Sequence, residues 1–422
     1  MSPQEFWPAL IAANRGGQRR GIPSWCTAHP ETLSAILRAC RDSDDPILIE
    51  ATCNQVNHEG GYTGMTPADF RRFIEGLARE AGVDPDRLIL GGDHLGPNPW
   101  KRLPASEAMA LAGDMVKAYV EAGFRKIHID ASMACGGETH VTEATIAERA
   151  AGLCAVAESV GALRGRVYVI GTEVPIPGGE LEELDALTVT SPEATWRTYD
   201  LHRAAFAARG VAHAMDSVIA LVVQPGVDMG NNQVFGYDKA KAAALSAVIG
   251  DIPGVVYEAH STDFQTEAAL TDLVATHFAI LKVGPMLTFA FREAVFALAA
   301  IEARLNPAAP SGIVESLERV MDLSPEHWRG YVPQDDAEGL TRLFGLSDRI
   351  RYYWPRPEVQ TALRRLFANV DDARVPPGLV SQFAGEMLLE RSEPTLSQRL
   401  IAAKVEAVVT RYRRASGLNG TD

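Results

Sequence analysis

The sequence alternates short apolar runs with amphipathic segments eight times between residues 21 and 305. Short apolar runs bounded by glycine or proline are typical of buried parallel strands. The segments that follow them stop at glycines such as Gly82, Gly123 and Gly161, as helices commonly do. Parallel strands joined by helices require right-handed crossovers, and eight such units can close on themselves. The pattern therefore predicts the α/β class and a (β/α)8 TIM barrel, with an open sheet as the alternative.

Beyond residue 305 the strand-like runs disappear, and we divide the chain into a barrel, residues 1–305, and a helical extension, residues 306–422. The extension carries an aromatic and basic segment, Leu346–Pro355. Because Tyr, Trp and Arg commonly anchor protein interfaces, this region either packs on the barrel or offers a platform to a partner. Helices are predicted at about 311–322, 335–345, 356–370 and 395–414.

The charge and cysteine content restrict the compartment and the partners. A formal net charge of -14 argues against nucleic acid and against an anionic membrane surface, because both require a basic footprint. The five cysteines are odd in number and form no Cys-x-x-Cys pair, which indicates reduced thiols. Ser2 to Glu5 forms a helix capping box rather than the basic start of a signal peptide. No apolar run approaches a membrane span, so we expect a cytoplasmic protein.

Polar residues collect where the predicted strands end. The stretch Leu88–Trp100 places Asp93 and His94 just after an apolar run, and ligands of barrel proteins bind at the carboxyl ends of the strands. Charged residues are rarely buried without a partner or a metal, so such a ring favours an active or ligand-binding site. The residues expected to face one cavity are Cys26 or His29, Glu50, Asn54, Asp93, His94, Asp130, Glu173, Gln224, Glu258, His260 and Lys282.

Two histidines at separate strand ends suggest a metal site. His94, Glu173 and His260 could hold a divalent cation and leave one position open, as catalytic zinc sites do. Asp93 would then carry a proton or orient a ligand. The alternative is that both histidines are neutral core residues bonded to the backbone and that Asp93 caps a turn. Structural or surface roles are assigned to the remaining candidates, His128, His202, His213 and His327.

Several residues are candidates for binding an anion. Gly178 and Gly179 can present backbone N–H groups to a phosphate or can simply form a tight turn. Ser261 and Thr262 are expected to open the next helix, either as a phosphate site at its N-terminus or as an ordinary cap. Lys282 lies inside an apolar strand and needs a partner, which favours a functional role.

No P-loop, dinucleotide-binding glycine motif or G-x-S-x-G elbow occurs in the chain. These absences argue against P-loop kinases, dehydrogenases and serine hydrolases.

Long motifs are spread over nearly the whole chain: Ile49–Asn57, Gly60–Pro67, Gly91–Asn98, Ile129–Met133, Gly171–Pro175, Tyr257–Asp263 and Leu346–Pro355. Together they resemble the D-tagatose-1,6-bisphosphate aldolase accessory-subunit family, GatZ/KbaZ. This resemblance implies a non-catalytic subunit that supports the activity and stability of a separate catalytic class II aldolase subunit in galactitol and tagatose metabolism. Some members are labelled tagatose-6-phosphate kinases, which the missing phosphate loop does not support.

The family is itself similar to the metal-dependent class II aldolases, which are (β/α)8 barrels. By that likeness Asp93 matches the catalytic acid, and His94 and His260 match the first and last metal histidines. Gln224 stands where those enzymes have the middle metal histidine, and Gly284 stands where they have an asparagine. The resemblance therefore implies altered or weaker zinc binding.

The remaining candidates are expected to support this site. We expect Asp130, Gln224 and Glu258 to orient the metal ligands or to hold a second metal. Sugar phosphate binding is expected from Glu50, Asn54, Gly178, Gly179, Ser261, Thr262 and Lys282.

Three functions remain open from the sequence. The first is the accessory subunit just described, with a catalytic class II aldolase subunit as its partner. The second is a free-standing metal-dependent aldolase or epimerase acting on a sugar or sugar phosphate. The third and weakest is a tagatose-6-phosphate kinase. The sequence leaves open whether the chain is catalytic alone and whether it forms a homo-oligomer.

Overall fold

Eight parallel strands close into a barrel, as the alternating pattern predicts. The structure, a computed structural model, describes residues 3–418 apart from 162–164, 173–186, 333–335, 337–338 and 386–392. The open-sheet alternative is wrong, because the last barrel strand pairs with the first. The barrel strands are β1 (Ile22–Cys26), β2 (Ile47–Thr52), β3 (Leu88–Leu95), β4 (Lys126–Ile129), β5 (Val167–Gly171), β6 (Val218–Val222), β9 (Val256–Ala259) and β10 (Phe278–Val283), and a small antiparallel pair comprises β7 (Asp228–Met229) and β8 (Val234–Phe235).

A helix follows each barrel strand, and further helices lie before and after the barrel. The helix after β6 spans six residues, and Pro377 begins a helix of eight residues. The helices are α1 (Pro3–Arg15), α2 (Pro30–Ala39), α3 (Pro67–Ala81), α4 (Ala105–Glu121), α5 (Glu143–Ser159), α6 (Pro192–Ala208), α7 (Ala243–Val248), α8 (Glu267–Ala275), α9 (Pro285–Leu305), α10 (Ile313–Leu323), α11 (Leu340–Phe344), α12 (Pro357–Asp371), α13 (Pro377–Ala384) and α14 (Leu396–Ala415).

Helix α1 fills the amino-terminal end of the barrel. Its apolar side chains, among them Phe6, Trp7 and Leu10, form one buried cluster with residues at the starts of the strands, such as Ile22 and Leu48. Burying this apolar face stabilises α1 against the barrel floor. Polar side chains are therefore concentrated in the middle and at the carboxyl end of the barrel.

The C-terminal helices pack on the barrel and share its hydrophobic core. The last helix, α14, lies against α2, α8 and α9, and the Tyr412 hydroxyl donates a hydrogen bond of 2.6 Å to the backbone oxygen of Thr262. In the segment Leu346–Pro355, Tyr353 and Trp354 are fully buried. These two aromatic side chains belong to the core, so they are not available as a platform for a partner.

Two expectations about the chain as a whole can be compared with the structure. All five cysteines are buried and unpaired, as predicted. Among the residues that the structure describes, none of the helices combines the length and the apolar character needed to cross a membrane.

The junction between β3 and β4 tolerates no side chain at Gly96. A Cβ atom placed there would overlap the backbone oxygen of Asp130, and the adjacent backbone is fixed by a 3.1 Å hydrogen bond from Asp130 N to Leu95 O. We expect Gly96→Ala to lower the free energy of unfolding by at least about 2 kcal/mol, because the two strands must move apart. Urea denaturation measures this change.

Gly152→Ala is the matched control. Gly152 lies inside α5, and a Cβ there would meet nothing within 4 Å. Alanine is the better helix former, so stability should stay equal or rise by up to about 1 kcal/mol. Equal effects of the two substitutions would contradict the close approach of the strands.

Candidate active site at the carboxyl end of the barrel

Three histidines and one aspartate converge at the carboxyl end of the strands. Asp93, His94, His128 and His260 are buried and place one potential ligand atom each within 4.8 Å of the others. The ring centroids of His94 and His128 are 5.0 Å apart, and those of His94 and His260 are 4.8 Å apart. We call these four residues the histidine cluster.

An irregularity in β3 brings two consecutive residues into this cluster. Side chains alternate between the two faces of a regular strand, so Asp93 and His94 would otherwise point in opposite directions. The strand continues to Leu95 instead of ending near residue 92 as expected, and its register with β4 shifts between Gly92 and Leu95. His94 adopts the left-handed conformation, with φ of 49°. Such a bulge re-aims a side chain, and left-handed backbone in a non-glycine residue is often found at functional sites.

Each imidazole of the histidine cluster is bound to a carboxylate through one ring nitrogen. For His94 and His260, a carboxylate that accepts the proton of this nitrogen leaves a lone pair on the other nitrogen of the ring. This arrangement is the one found where histidines ligate metal ions. His128 Nδ1 lies 2.8 Å from Asp93 Oδ1 and also 3.1 Å from the backbone N–H of His94, so the proton on this ring depends on which of the two contacts it makes. The three contacts are His94 Nδ1 to Asp130 Oδ2 at 2.8 Å, His128 Nδ1 to Asp93 Oδ1 at 2.8 Å and His260 Nε2 to Glu258 Oε1 at 2.9 Å.

His128 Nε2 is buried and has no hydrogen-bond partner among the residues that the structure describes. A buried polar atom without a partner is costly, so each such case requires an explanation. A metal ion bound at this nitrogen would supply one.

The charge states also suit a ligand set of this kind. Burial lowers the pKa of His260 to about 3, so this ring is neutral at pH 7. Burial also opposes charge on His94, but Asp93 and Asp130 outweigh it and raise the pKa of His94. Burial disfavours the carboxylate form of Asp93, yet His94 and Lys282 lower its pKa well below the usual range. A metal ion would therefore compete with a proton for His94.

A buried ion network lies directly beneath the histidine cluster. Lys126 Nζ lies 2.6 Å from Glu50 Oε1 and 2.7 Å from Glu258 Oε2. Lys282 Nζ lies 2.9 Å from Asp93 Oδ1 and also pairs with Glu50. All of these side chains are buried. Although Glu50, Asp93 and Glu258 are close enough to hold a second metal, two ammonium groups already balance them.

The structure gathers some of the predicted site residues and separates others. Asn54, Ser261 and Lys282 line a cavity together with Asp93, His94 and His260. Glu50 lies below that cavity in the ion network rather than among its lining residues. Glu173, Gly178 and Gly179 fall outside the described residues.

Two local expectations are wrong. Ser261 and Thr262 do not open a helix, because α8 begins at Glu267 with Thr266 as its cap. Thr262 is buried and donates a hydrogen bond of 2.5 Å to the backbone oxygen of Lys282. Gln224 does not orient a ligand of the histidine cluster, since its Oε1 accepts hydrogen bonds from the backbone N–H groups of Gly226 and Val227.

His128 was expected to have a structural or surface role, but it belongs to the histidine cluster. A usable signal was present, because Lys126, His128 and Asp130 alternate along β4 and so share one face. Arg351 and Tyr352 were not predicted as site residues either, and they reach the cavity from the C-terminal extension. Nothing in their local pattern indicates this position.

The fold and the histidine cluster define a (β/α)8 barrel protein with a buried site that could hold a metal ion. The chain belongs to the D-tagatose-1,6-bisphosphate aldolase subunit GatZ/KbaZ-like family, whose model matches residues 8–417. This membership agrees with the resemblance seen in the motifs.

Individual relatives carry different names. A D-tagatose 6-phosphate 4-epimerase of Agrobacterium fabrum (strain C58 / ATCC 33970) is 47% identical over 97% of both chains. The D-tagatose-1,6-bisphosphate aldolase subunit GatZ of Salmonella enteritidis PT4 (strain P125109) is 47% identical over 96% of this chain and 97% of its own. A crystal structure of a probable tagatose 6 phosphate kinase from Sinorhizobium meliloti 1021 is 48% identical, covers 94% of this chain and 100% of its own, and has a TM-score of 0.85.

Lys126 should be essential to the stability of the barrel. Lys126→Met leaves the buried carboxylates of Glu50 and Glu258 without the ammonium between them. We expect the free energy of unfolding to fall by about 3–5 kcal/mol, as when one partner of a buried ion pair is removed. Urea denaturation at pH 7 provides the measurement.

The control is Lys117→Met on the exposed face of α4. Its ammonium lies 3.9 Å from Glu121, and 56% of its side chain is exposed. An exposed pair contributes little, so the change should stay within about 0.5 kcal/mol. An equally small change in the free energy of unfolding for Lys126→Met would contradict a stabilising role of Lys126 in the buried ion network.

Proposed function

We propose that the chain is a cytoplasmic subunit of a D-tagatose-1,6-bisphosphate aldolase, in galactitol and tagatose metabolism. In this role it supports the activity and stability of a separate catalytic class II aldolase subunit. The observation that carries the proposal is the end-to-end match with a GatZ subunit, 47% identical over 96% of this chain and 97% of its own. A match of this extent includes the C-terminal helices as well as the barrel.

We also propose that this subunit binds a divalent metal ion, with zinc as the expected metal. His94 Nε2, His128 Nε2 and His260 Nδ1 would hold it, with Asp93 beside them. Three imidazole nitrogens and a carboxylate suit zinc once the metal has displaced the proton from His94. His128 supplies the third imidazole that Gln224 cannot provide. When bound, the metal would polarise a carbonyl or hydroxyl oxygen of a sugar.

Asp93 is suited to accept a proton from a bound sugar. Its carboxylate lines the cavity, and its low pKa keeps it ionised at pH 7. The ammonium of Lys282 and the ring of His128 both contact Oδ1 and fix the orientation of the carboxylate. A fixed carboxylate next to a hydroxyl group can act as a general base.

A second candidate function is the epimerisation of a ketose phosphate at C4. The specific observation in its favour is that the histidine cluster and Asp93 open onto a cavity, together with the 47% identity to a D-tagatose 6-phosphate 4-epimerase. Asp93 would take the proton of the C4 hydroxyl while the C3–C4 bond breaks and its electron pair stays on the C3 fragment. Re-addition of C3 to the other face of the C4 aldehyde, with return of the proton, completes the inversion.

The metal proposal is tested by elemental analysis of the purified chain. We expect about one zinc per chain in the native protein, and a loss of most of it in His128→Ala, because one of three imidazole donors is removed. His213→Ala is the control, since this histidine is 66% exposed and pairs with Glu158 outside the site. Unchanged metal content in His128→Ala would contradict the ligand assignment.

The functional proposal is tested with a catalytic class II tagatose-bisphosphate aldolase subunit. Co-expression with the native chain should raise the activity of that subunit several-fold. It should also raise the unfolding temperature of that subunit by several degrees, because a partner that binds only the folded state stabilises it. Aldolase activity and the unfolding temperature are measured with and without this chain.

The isolated native chain separates the two candidate functions. Incubated with D-tagatose 6-phosphate, it forms the C4 epimer only if it is an epimerase, and Asp93→Asn should then abolish the reaction. Equal partner activity with and without the chain would reject the accessory role. Conversion of the sugar phosphate by the isolated chain would favour the second function.

A further inference from the structure

The C-terminal extension contributes a cation to the barrel cavity. Arg351 and Tyr352 line it together with Asp93, His94 and Lys282. The first two come from beyond the last barrel helix, whereas the others lie on barrel strands. The cavity is therefore built jointly by the barrel and the segment Leu346–Pro355.

Among the described residues, the guanidinium of Arg351 donates its hydrogen bonds to neutral oxygens. Nη1 donates hydrogen bonds to the backbone oxygens of Ser347 and Asp348, the latter at 3.1 Å. Nη2 donates to the hydroxyl of Tyr352 at 3.2 Å. Within the part of the chain that the structure describes, no carboxylate oxygen lies within 4.0 Å of this guanidinium.

The nearby carboxylates are bound elsewhere. The Asp348 side chain accepts a hydrogen bond of 2.6 Å from Thr288 and lies 3.5 Å from Arg292. In the cavity wall, Asp263 accepts hydrogen bonds from the backbone N–H groups of Gly284 and Met286. Arg351 thus differs from Lys282, whose charge is balanced by two carboxylates.

Aromatic contacts hold Arg351 in place at the cavity wall. Its guanidinium carbon lies 4.6 Å from the centre of the Tyr352 ring. That ring contacts Tyr62, from the loop after β2, with centroids 4.8 Å apart, and it stacks on His327 at 4.6 Å. Arg349 lies 4.7 Å from the same ring centre. A guanidinium held in this way loses little conformational entropy when it binds a ligand.

The local potential is positive. Burial opposes ionisation of the Tyr352 phenol, yet Arg351 and Arg349 outweigh it and lower the pKa of Tyr352. The Nη1 atom of Arg349 is buried without a hydrogen-bond partner, and this side chain is only 5% exposed. Within the described part of the chain, Arg351 at the cavity wall and Arg349 behind it therefore contact the same tyrosine ring, and neither has a carboxylate oxygen within 4.0 Å.

We propose that Arg351 binds the phosphate group of a sugar phosphate whose carbon chain extends toward Asp93 and the histidine cluster. The planar guanidinium fork matches two phosphate oxygens, and charge-assisted hydrogen bonds of this kind are the strong ones. The identity of the sugar rests on the proposed function, whereas the phosphate site rests on the surroundings of Arg351. This site takes the place of the helix N-terminus expected at Ser261 and Thr262.

The test measures the binding of inorganic phosphate and of D-tagatose 6-phosphate to the full chain as purified. Isothermal titration calorimetry at constant ionic strength gives the Kd of each. We expect Arg351→Met to raise both Kd values about ten-fold or more, because two charge-assisted hydrogen bonds are lost. Arg351→Lys should lie between, since it keeps the charge but not the fork. Equal metal content in all proteins, verified by elemental analysis, excludes an effect through the metal.

Arg356→Met is the matched control. Arg356 follows the same segment and carries the same charge, but it is 43% exposed and lies 3.9 Å from Glu326, away from the cavity lining. Its Kd values should stay within about two-fold of the native ones, as expected when a distant surface charge is removed. Unfolding temperatures without ligand show whether each variant is folded. If Arg351→Met does not fold, Arg351→Lys provides the test of phosphate binding.

Two results would overturn the proposal. One is a native chain that binds neither ligand, and the other is a folded Arg351 variant that binds both as tightly as the native chain. No partner subunit is present in this experiment. Phosphate binding that depends on Arg351 would therefore stand even if the chain failed to raise aldolase activity. If the chain raised aldolase activity but bound phosphate independently of Arg351, only the phosphate-site proposal would be rejected.

Discussion

The buried pairing of Lys126 and Lys282 with three carboxylates is the interaction on which the site depends. Each charge in the barrel interior loses its hydration, and only close opposite charges compensate for that loss. Lys126 bridges Glu50 and Glu258, while Lys282 joins Glu50 to Asp93. Because Glu258 and Asp93 in turn hold His260 and His128, the ammonium groups fix the imidazoles from below.

The barrel could be predicted because its signal is local and repeated. Apolar runs followed by helical segments are typical of parallel strands, and eight such units can close into the barrel order that the structure shows. Asp93, His94 and His260 could be placed because each follows an apolar run of the sequence. His128 was not predicted as a site residue because it lies between two isoleucines inside a strand. The pattern that indicates its position is the alternation of Lys126, His128 and Asp130, which places all three on one face of the strand.

The remaining features depend on contacts that no local pattern contains. Gln224 is a polar residue at a strand end, as expected for a site residue. Its amide oxygen, however, accepts hydrogen bonds from the backbone N–H groups of Gly226 and Val227 in the same loop. Thr262 precedes a helix, yet the chain makes a further turn before that helix begins at Glu267. Arg351 enters the cavity only because Tyr353 and Trp354 are buried against the barrel, and packing of this kind is set by the tertiary structure.

Helix α1 gives the molecule a closed floor. Its apolar side chains pack against the strand starts below Glu50 and Lys126. The cavity that contains Asp93 and His94 lies at the opposite end of the barrel, and its lining includes Tyr62 and Tyr352, whose ring centroids are 4.8 Å apart. Substitutions in the C-terminal extension would then change which ligands enter and bind in the cavity, while the reactive groups on the strands stay the same.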